Sequence, residues 1–180
     1  QLFVDRSLVD GVRVYAGQTN LHFDAGLMRV DSLRAESVAG ELTASGGLGL
    51  VASRIDSLRF RGVVDSLGGL RRYLARRPVG DSGANANSGA LAAVDSLEGS
   101  LTATGTLIGN LSQFALTATA EGSGLRIVNT TARQIAASVR LAALPDSATG
   151  TVAIRVDTLL GDSFALARVA ARADLLGGGR

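Results

Sequence analysis

A chain of 180 residues with 46% hydrophobic content can fold as one large domain or two small ones, but its 4% aromatic content leaves the apolar surface to Ala, Leu and Val. A formal charge of +2, with Arg supplying all 18 basic side chains, is too dilute to predict a nucleic-acid partner. The absence of Cys excludes a disulfide framework and a thiolate metal site, and no run of about 18 apolar residues is present to span a membrane as a helix.

The chain opens with short alternating pieces. Val12 and Val14, then Leu21 and Phe23, then Met28 and Val30 recur at period two, as in strands with one apolar face. The segment Ala39-Gly40-Glu41-Leu42-Thr43-Ala44-Ser45-Gly46 has an echo in Leu97-Glu98-Gly99-Ser100-Leu101-Thr102-Ala103-Thr104-Gly105. Leu58, Phe60 and Gly62 face away from Arg59 and Arg61, which completes a first strand set over 1–64.

Residues 65–90 break the pattern. Leu67, Leu70, Tyr73 and Leu74 fall at helical spacing, interleaved with Arg71, Arg72, Arg76 and Arg77, and Ser66 is placed to cap the helix. The small, polar stretch from Pro78 to Gly89 predicts a loop.

A second strand set is expected over 91–176. Leu101, Ala103, Gly105 and Leu107 alternate with threonines, and Phe114, Leu116, Ala118 and Ala120 do the same until Gly122-Ser123-Gly124 is expected to turn the chain. Leu125 and Ile127 follow, then Ile135, Ala137, Val139 and Leu141, and after the Pro145-Asp146-Ser147 turn Val152, Ile154 and Val156. Gln1 in place of an initiator Met, the lack of a signal peptide and the Gly-rich end at 177–180 lead us to expect a segment of a longer protein. The fold class these patterns predict is mainly β, with repeated strands and one short helix and loop insertion.

Candidate chemistry is sparse. Asp31-Ser32-Leu33, Asp56-Ser57-Leu58, Asp65-Ser66-Leu67 and Asp95-Ser96-Leu97, with Asp157-Thr158-Leu159 as a variant, are read as turn residues rather than calcium ligands, because the Gly-rich signature of calcium-loaded β-rolls is absent. Gly80-Asp81-Ser82-Gly83 matches the tetrapeptide around a serine-protease nucleophile. His22 is the one histidine, however, and nothing around it resembles the histidine segment of those enzymes. No metal or other cofactor is predicted, and no enzyme. Asn110-Leu111-Ser112 and Asn129-Thr130-Thr131 match the glycosylation pattern by chance, and the Arg71 to Arg77 group reads as a solvated helix face before an anionic-lipid contact.

The alternation, the Gly punctuation and the run Gly99 to Gly109 followed by Phe114-Ala115-Leu116 resemble the TamB and AsmA-like family. That resemblance implies an elongated, strongly curved, mostly antiparallel sheet with an apolar interior, shaped like a taco. It further implies a periplasmic location, an inner-membrane anchor outside this segment, and phospholipid movement between inner and outer membrane. Support of outer-membrane protein assembly with a barrel partner, through regions outside this segment, is implied as well.

Small residues such as Ala103, Gly105, Ala118, Ala120 and Ala137 leave room for phospholipid acyl chains on the apolar face. Its expected lining is Leu101, Leu107, Phe114, Leu116, Leu125, Ile127, Ile135, Val139, Leu141, Val152, Ile154 and Val156. Roughly ten strands at about 4.8 Å would make a trough on the order of 45 Å long. The rival reading is a parallel β-solenoid stalk or adhesin-type binding segment, packed through its centre. An outer-membrane barrel would need aromatic girdles that this chain lacks.

Overall fold

The computed structural model describes residues 2–9, 12–37, 40–65, 67, 98–127 and 129–177. Among them one antiparallel sheet is built from β1 (Leu2–Val9), β2 (Val12–Asp24), β3 (Leu27–Ser37), β4 (Gly40–Gly49), β5 (Asp56–Val64), β6 (Glu98–Gly109), β7 (Phe114–Ile127), β8 (Thr130–Leu144), β9 (Thr149–Val156), β10 (Leu159–Gly161), β11 (Phe164–Leu166) and β12 (Val169–Leu176). From β1 to β8 each strand pairs with the next in sequence. The expected strand sets therefore join directly, because β5 pairs with β6 from Asp56↔Gly109 to Val64↔Leu101.

At β8 the sheet forks. Ile135 to Ala142 pair with β9, which pairs in turn with β12, while Thr131 and Ala132 pair with β10 of the short β10–β11 hairpin. The strand path is open and does not close into a barrel. The chain is thus a curved, elongated antiparallel sheet. Every strand pair is antiparallel, and the one parallel contact among the described residues is an isolated bridge between Gly49 and Asn110, so a parallel solenoid is not the fold.

Local chemistry explains the connections. Ala25 and Gly26 both have positive φ, 44° and 80°, which is the type I′ geometry that matches the twist of a two-residue hairpin between β2 and β3. Between β6 and β7, buried Asn110 accepts from the amides of Ser112 and Gln113, both at 2.9 Å, and its Nδ2 donates to the Ala52 carbonyl at 3.4 Å. Its amide side chain organises two loops at once, so Asn110-Leu111-Ser112 is a structural turn.

Several expected turns are corrected. Gly122-Ser123-Gly124 does not reverse the chain, for β7 runs through it to Ile127. Exposed Ser123 and Gly124 lie opposite exposed Gln134 and Arg133, so both strands change phase at the same level and the ladder continues. Gly124, with φ 60°, absorbs the twist. Asp31-Ser32 is a bulge within β3: Val30 pairs with Gly46 and Leu33 with Ala44, leaving one extra residue between them. Asp56-Ser57-Leu58 opens β5, and Asp157-Thr158 links β9 to β10. The expected Pro145-Asp146-Ser147 turn is present, closed by the Ser147 amide on the Ala143 carbonyl at 3.0 Å. Of the helix expected after Ser66 only Leu67, which is buried, is described; the loop from Pro78 to Gly89 and the Asp95-Ser96-Leu97 tripeptide lie outside the described residues.

Two glycines in the sheet make opposite predictions. Gly150 has φ 140°, and a Cβ there would sit 1.9 Å from the Arg140 carbonyl oxygen, whereas a Cβ on Gly62 would meet nothing nearer than Leu42 Cδ1 at 3.9 Å. In urea melts, Gly150→Ala should lose about 2 kcal/mol or more, and Gly62→Ala should be neutral or gain up to about 1 kcal/mol. Asn110→Ala should cost about 1–3 kcal/mol in the same assay, since it removes the buried side chain whose three hydrogen bonds hold the two loops.

Candidate functional site

Antiparallel pairing puts partner residues on the same face, so the registers can be read as rows crossing the sheet. One row joins Leu21, Val30, Gly46, Leu58, Leu107, Leu116, Leu141, Gly150 and Leu175. The next joins Thr19, Leu33, Ala44, Phe60, Gly105, Ala118, Val139, Val152 and Ala173, and a third Gly17, Ala35, Leu42, Gly62, Ala103, Ala120, Ala137, Ile154 and Ala171. A fourth, shorter row joins Val64, Leu101, Gly122, Ile135, Val156 and Val169. From β5 onward not one polar side chain interrupts these rows. On β2, Thr19 does, and its buried Oγ1 has no hydrogen-bond partner.

The opposite face is polar. Thr43, Arg61, Thr104, Thr119, Ser138, Ala153 and Arg172 form one row, and Ser45, Arg59, Thr106, Thr117, Arg140, Thr151 and Asp174 the next. Thr104 and Thr119 share a hydroxyl hydrogen bond of 3.2 Å. Thr151 donates to Asp174 at 2.8 Å; that bond, followed by those from Arg172, holds the Asp174 carboxyl below the usual range.

The apolar rows have relief. Between β5 and β8 the two middle rows are mostly Gly and Ala, while the flanking rows carry Leu58, Leu107, Leu116 and Leu141 on one side and Val64, Leu101 and Ile135 on the other. The result is a low floor between two aliphatic walls, running across the strands. The Phe60 ring lies over Gly105, where a Cβ would come within 2.5 Å of it. This face is also the more sheltered one. Ala136 and Ala137 are identical side chains one residue apart, yet Ala136, on the polar face, is exposed and Ala137, on the apolar face, is half-buried. Shelter is incomplete, however: among the described residues no large side chain is fully buried.

Of the expected lining, Leu101, Leu107, Leu116, Ile135, Val139, Leu141, Val152 and Val156 lie in the four rows and are half-buried, and Ile154 lies there at 39% exposure. Phe114, half-buried, lies in the row beyond that of Leu116, between Gly109 and Leu144. Leu125 resumes the apolar face after the phase change, its Cδ1 3.0 Å from where a Gly122 Cβ would stand. Ile127 ends β7, with its side chain outside the described set. The expected list omitted Leu58 and Phe60 of β5, Leu33 and Val30 of β3, and Val169 and Leu175 of β12, all of which belong to the rows.

Elsewhere His22 Nε2 sits 2.7 Å from Asp31 Oδ2, both exposed. The Gly80 to Gly83 tetrapeptide lies outside the described residues, and among those described no group of three His, Asp or Glu converges as a metal site. Comparison with protein-family models, with curated proteins and with solved structures gives no match.

The separation of faces is open to a direct check with an environment-sensitive apolar dye. Ala120→Glu, on the floor, should sharply reduce its fluorescence, and Thr119→Glu, one residue along on the other face, should leave it near the wild-type level. Equal loss in both folded variants would mean the dye reports something other than this face.

Proposed function

We propose that the apolar face is a groove for phospholipid acyl chains, in a non-enzymatic segment of a periplasmic protein that carries lipid between the inner and outer membranes or supports outer-membrane protein assembly. The observation carrying this reading is the set of apolar rows that cross β5 to β9 and β12 without a polar side chain, half-buried from β5 to β8 and partly exposed on β9 and β12. A sheet face of this kind must be covered, and the Gly and Ala floor between aliphatic walls has the shape to accept a chain of methylenes. Each methylene removed from water contributes about 0.8 kcal/mol, so about ten laid along the floor would gain on the order of 8 kcal/mol before ordering costs. Continuity across strands suits sliding, because from β5 onward no side chain along the rows offers a hydrogen bond that would hold a lipid in one place. The resemblance to TamB and AsmA-like proteins supports the envelope setting.

The experiment is mass spectrometry of lipid bound to protein purified under mild conditions, with Leu116→Arg plus Ile154→Glu as the comparison. The reading expects phospholipid on the wild type and its loss from the variant, with circular dichroism confirming that both are folded. A lipid-free wild type with a cooperative melt would sink it and leave a structural stalk or adhesin-type segment as the better account.

A further inference from the structure

The polar face carries a second feature, built on the same strand segments as the fourth apolar row: Gly122, Ile135, Val156 and Val169 of that row are part of its lining. Near the ends of β6 to β9 and β12 the polar face is hollowed into a cleft of about 770 Å³, within the range of small-ligand sites. The hollow arises because Ala136 and Ala170 are short beside the long Glu121 and Arg155 of the same row. Glu121, Ala136 and Arg155 are consecutive in that row, so acid and base flank a methyl group two strand spacings apart, about 9.6 Å. Asp157 and Arg168 line the same cleft. None of these four charges is engaged in an ion pair with the others. Around them stand neutral hydrogen-bonding groups: Gln134, Thr102 and the Ser100 and Ser123 hydroxyls, themselves 3.0 Å apart.

We propose that this cleft binds a small zwitterion of tripeptide size, its ammonium toward Glu121 and its carboxylate toward Arg155. Balanced charges argue against a simple anion or cation, since each would meet one attractive and one repulsive partner. The spacing sets the length: three extended residues span about 10 Å, close to the backbone separation of Glu121 and Arg155 along their row. An α-amino acid, with both charges on one carbon, spans far less than this separation. The hydroxyl and amide rim supplies partners for the peptide groups in between. Charge-assisted bonds at the two ends dominate the affinity, and added salt weakens it.

The test is titration of the purified protein with trialanine, followed by amide chemical shifts. Saturable shifts should centre on β6 to β9, and N-acetylation or C-amidation of the tripeptide should each weaken binding about tenfold. Glycine should bind at least as weakly as either blocked peptide. Glu121→Gln should abolish the penalty for N-acetylation, and Arg155→Gln that for C-amidation. Those selective losses are readouts that general unfolding cannot mimic. Arg61→Gln, elsewhere on the polar face, should leave binding unchanged. Absence of saturable shifts, or equal binding of the doubly blocked peptide, would overturn the proposal. So would an Arg61→Gln variant that binds as poorly as Arg155→Gln, which would reduce the effect to net charge.

Discussion

Everything in this molecule rests on strands keeping phase with one another. A side chain on a strand changes face with every residue, so a one-residue slip in any ladder would turn its apolar set outward and interrupt each row. The chain departs from simple alternation in several places without losing phase. The extra residue at Asp31-Ser32 is a bulge relative to both neighbours of β3, so Val30 and Leu33, three apart in sequence, still share a face. The change at Ser123-Gly124 is met by one directly opposite, at Arg133-Gln134. A bulge keeps the phase at the first site and a matched change on the partner strand keeps it at the second, and the face survives.

That compensation also decides what could be read beforehand. Where alternation is unbroken, as from Leu101 to Leu107, Phe114 to Ala120, Ile135 to Leu141 and Val152 to Val156, sequence alone gives strand, face and most of the lining. Where a bulge intervenes it misleads. Val30 and Leu33 fall on opposite faces by parity, so the alternation of Met28 and Val30 does not predict Leu33 on the same face, and Asp31-Ser32 has the composition of a turn. Gly122-Ser123-Gly124 had the composition of a turn, and only the pairing of Ser123 with Gln134 shows it to be strand. β12 escaped for another reason, since alanine on both faces, at Ala170 and Ala171, mutes the contrast that periodicity needs. The polar cleft was illegible because it depends on which strands become neighbours: Glu121, Ala136 and Arg155 are far apart in the chain and meet only through two ladders.

The two faces invite different chemistry. The apolar rows offer area without direction, a surface that holds oily matter by excluding water and has no means of fixing its position. The polar face offers direction without area, through hydroxyls and guanidiniums that reward a particular geometry. Mixing these properties would spoil both. A single unsatisfied hydroxyl among the apolar rows is already a local penalty, as Thr19 illustrates at the β2 end. Phe60 over Gly105 shows the opposite economy, a large ring placed where the neighbouring strand has no side chain.

The direct pairing of β5 with β6 has a consequence for how such a chain can change over time. Val64 ends β5 and Glu98 opens β6, and the two strands pair from Asp56↔Gly109 to Val64↔Leu101. A one-residue insertion or deletion inside β5 or β6 would therefore shift a whole ladder and turn its apolar set to the other face. Nearly all other pairing is between sequence neighbours, a low-contact-order arrangement in which hairpins can form one after another. A sheet assembled this way can be lengthened by duplication, each added hairpin docking on the last without disturbing those before it.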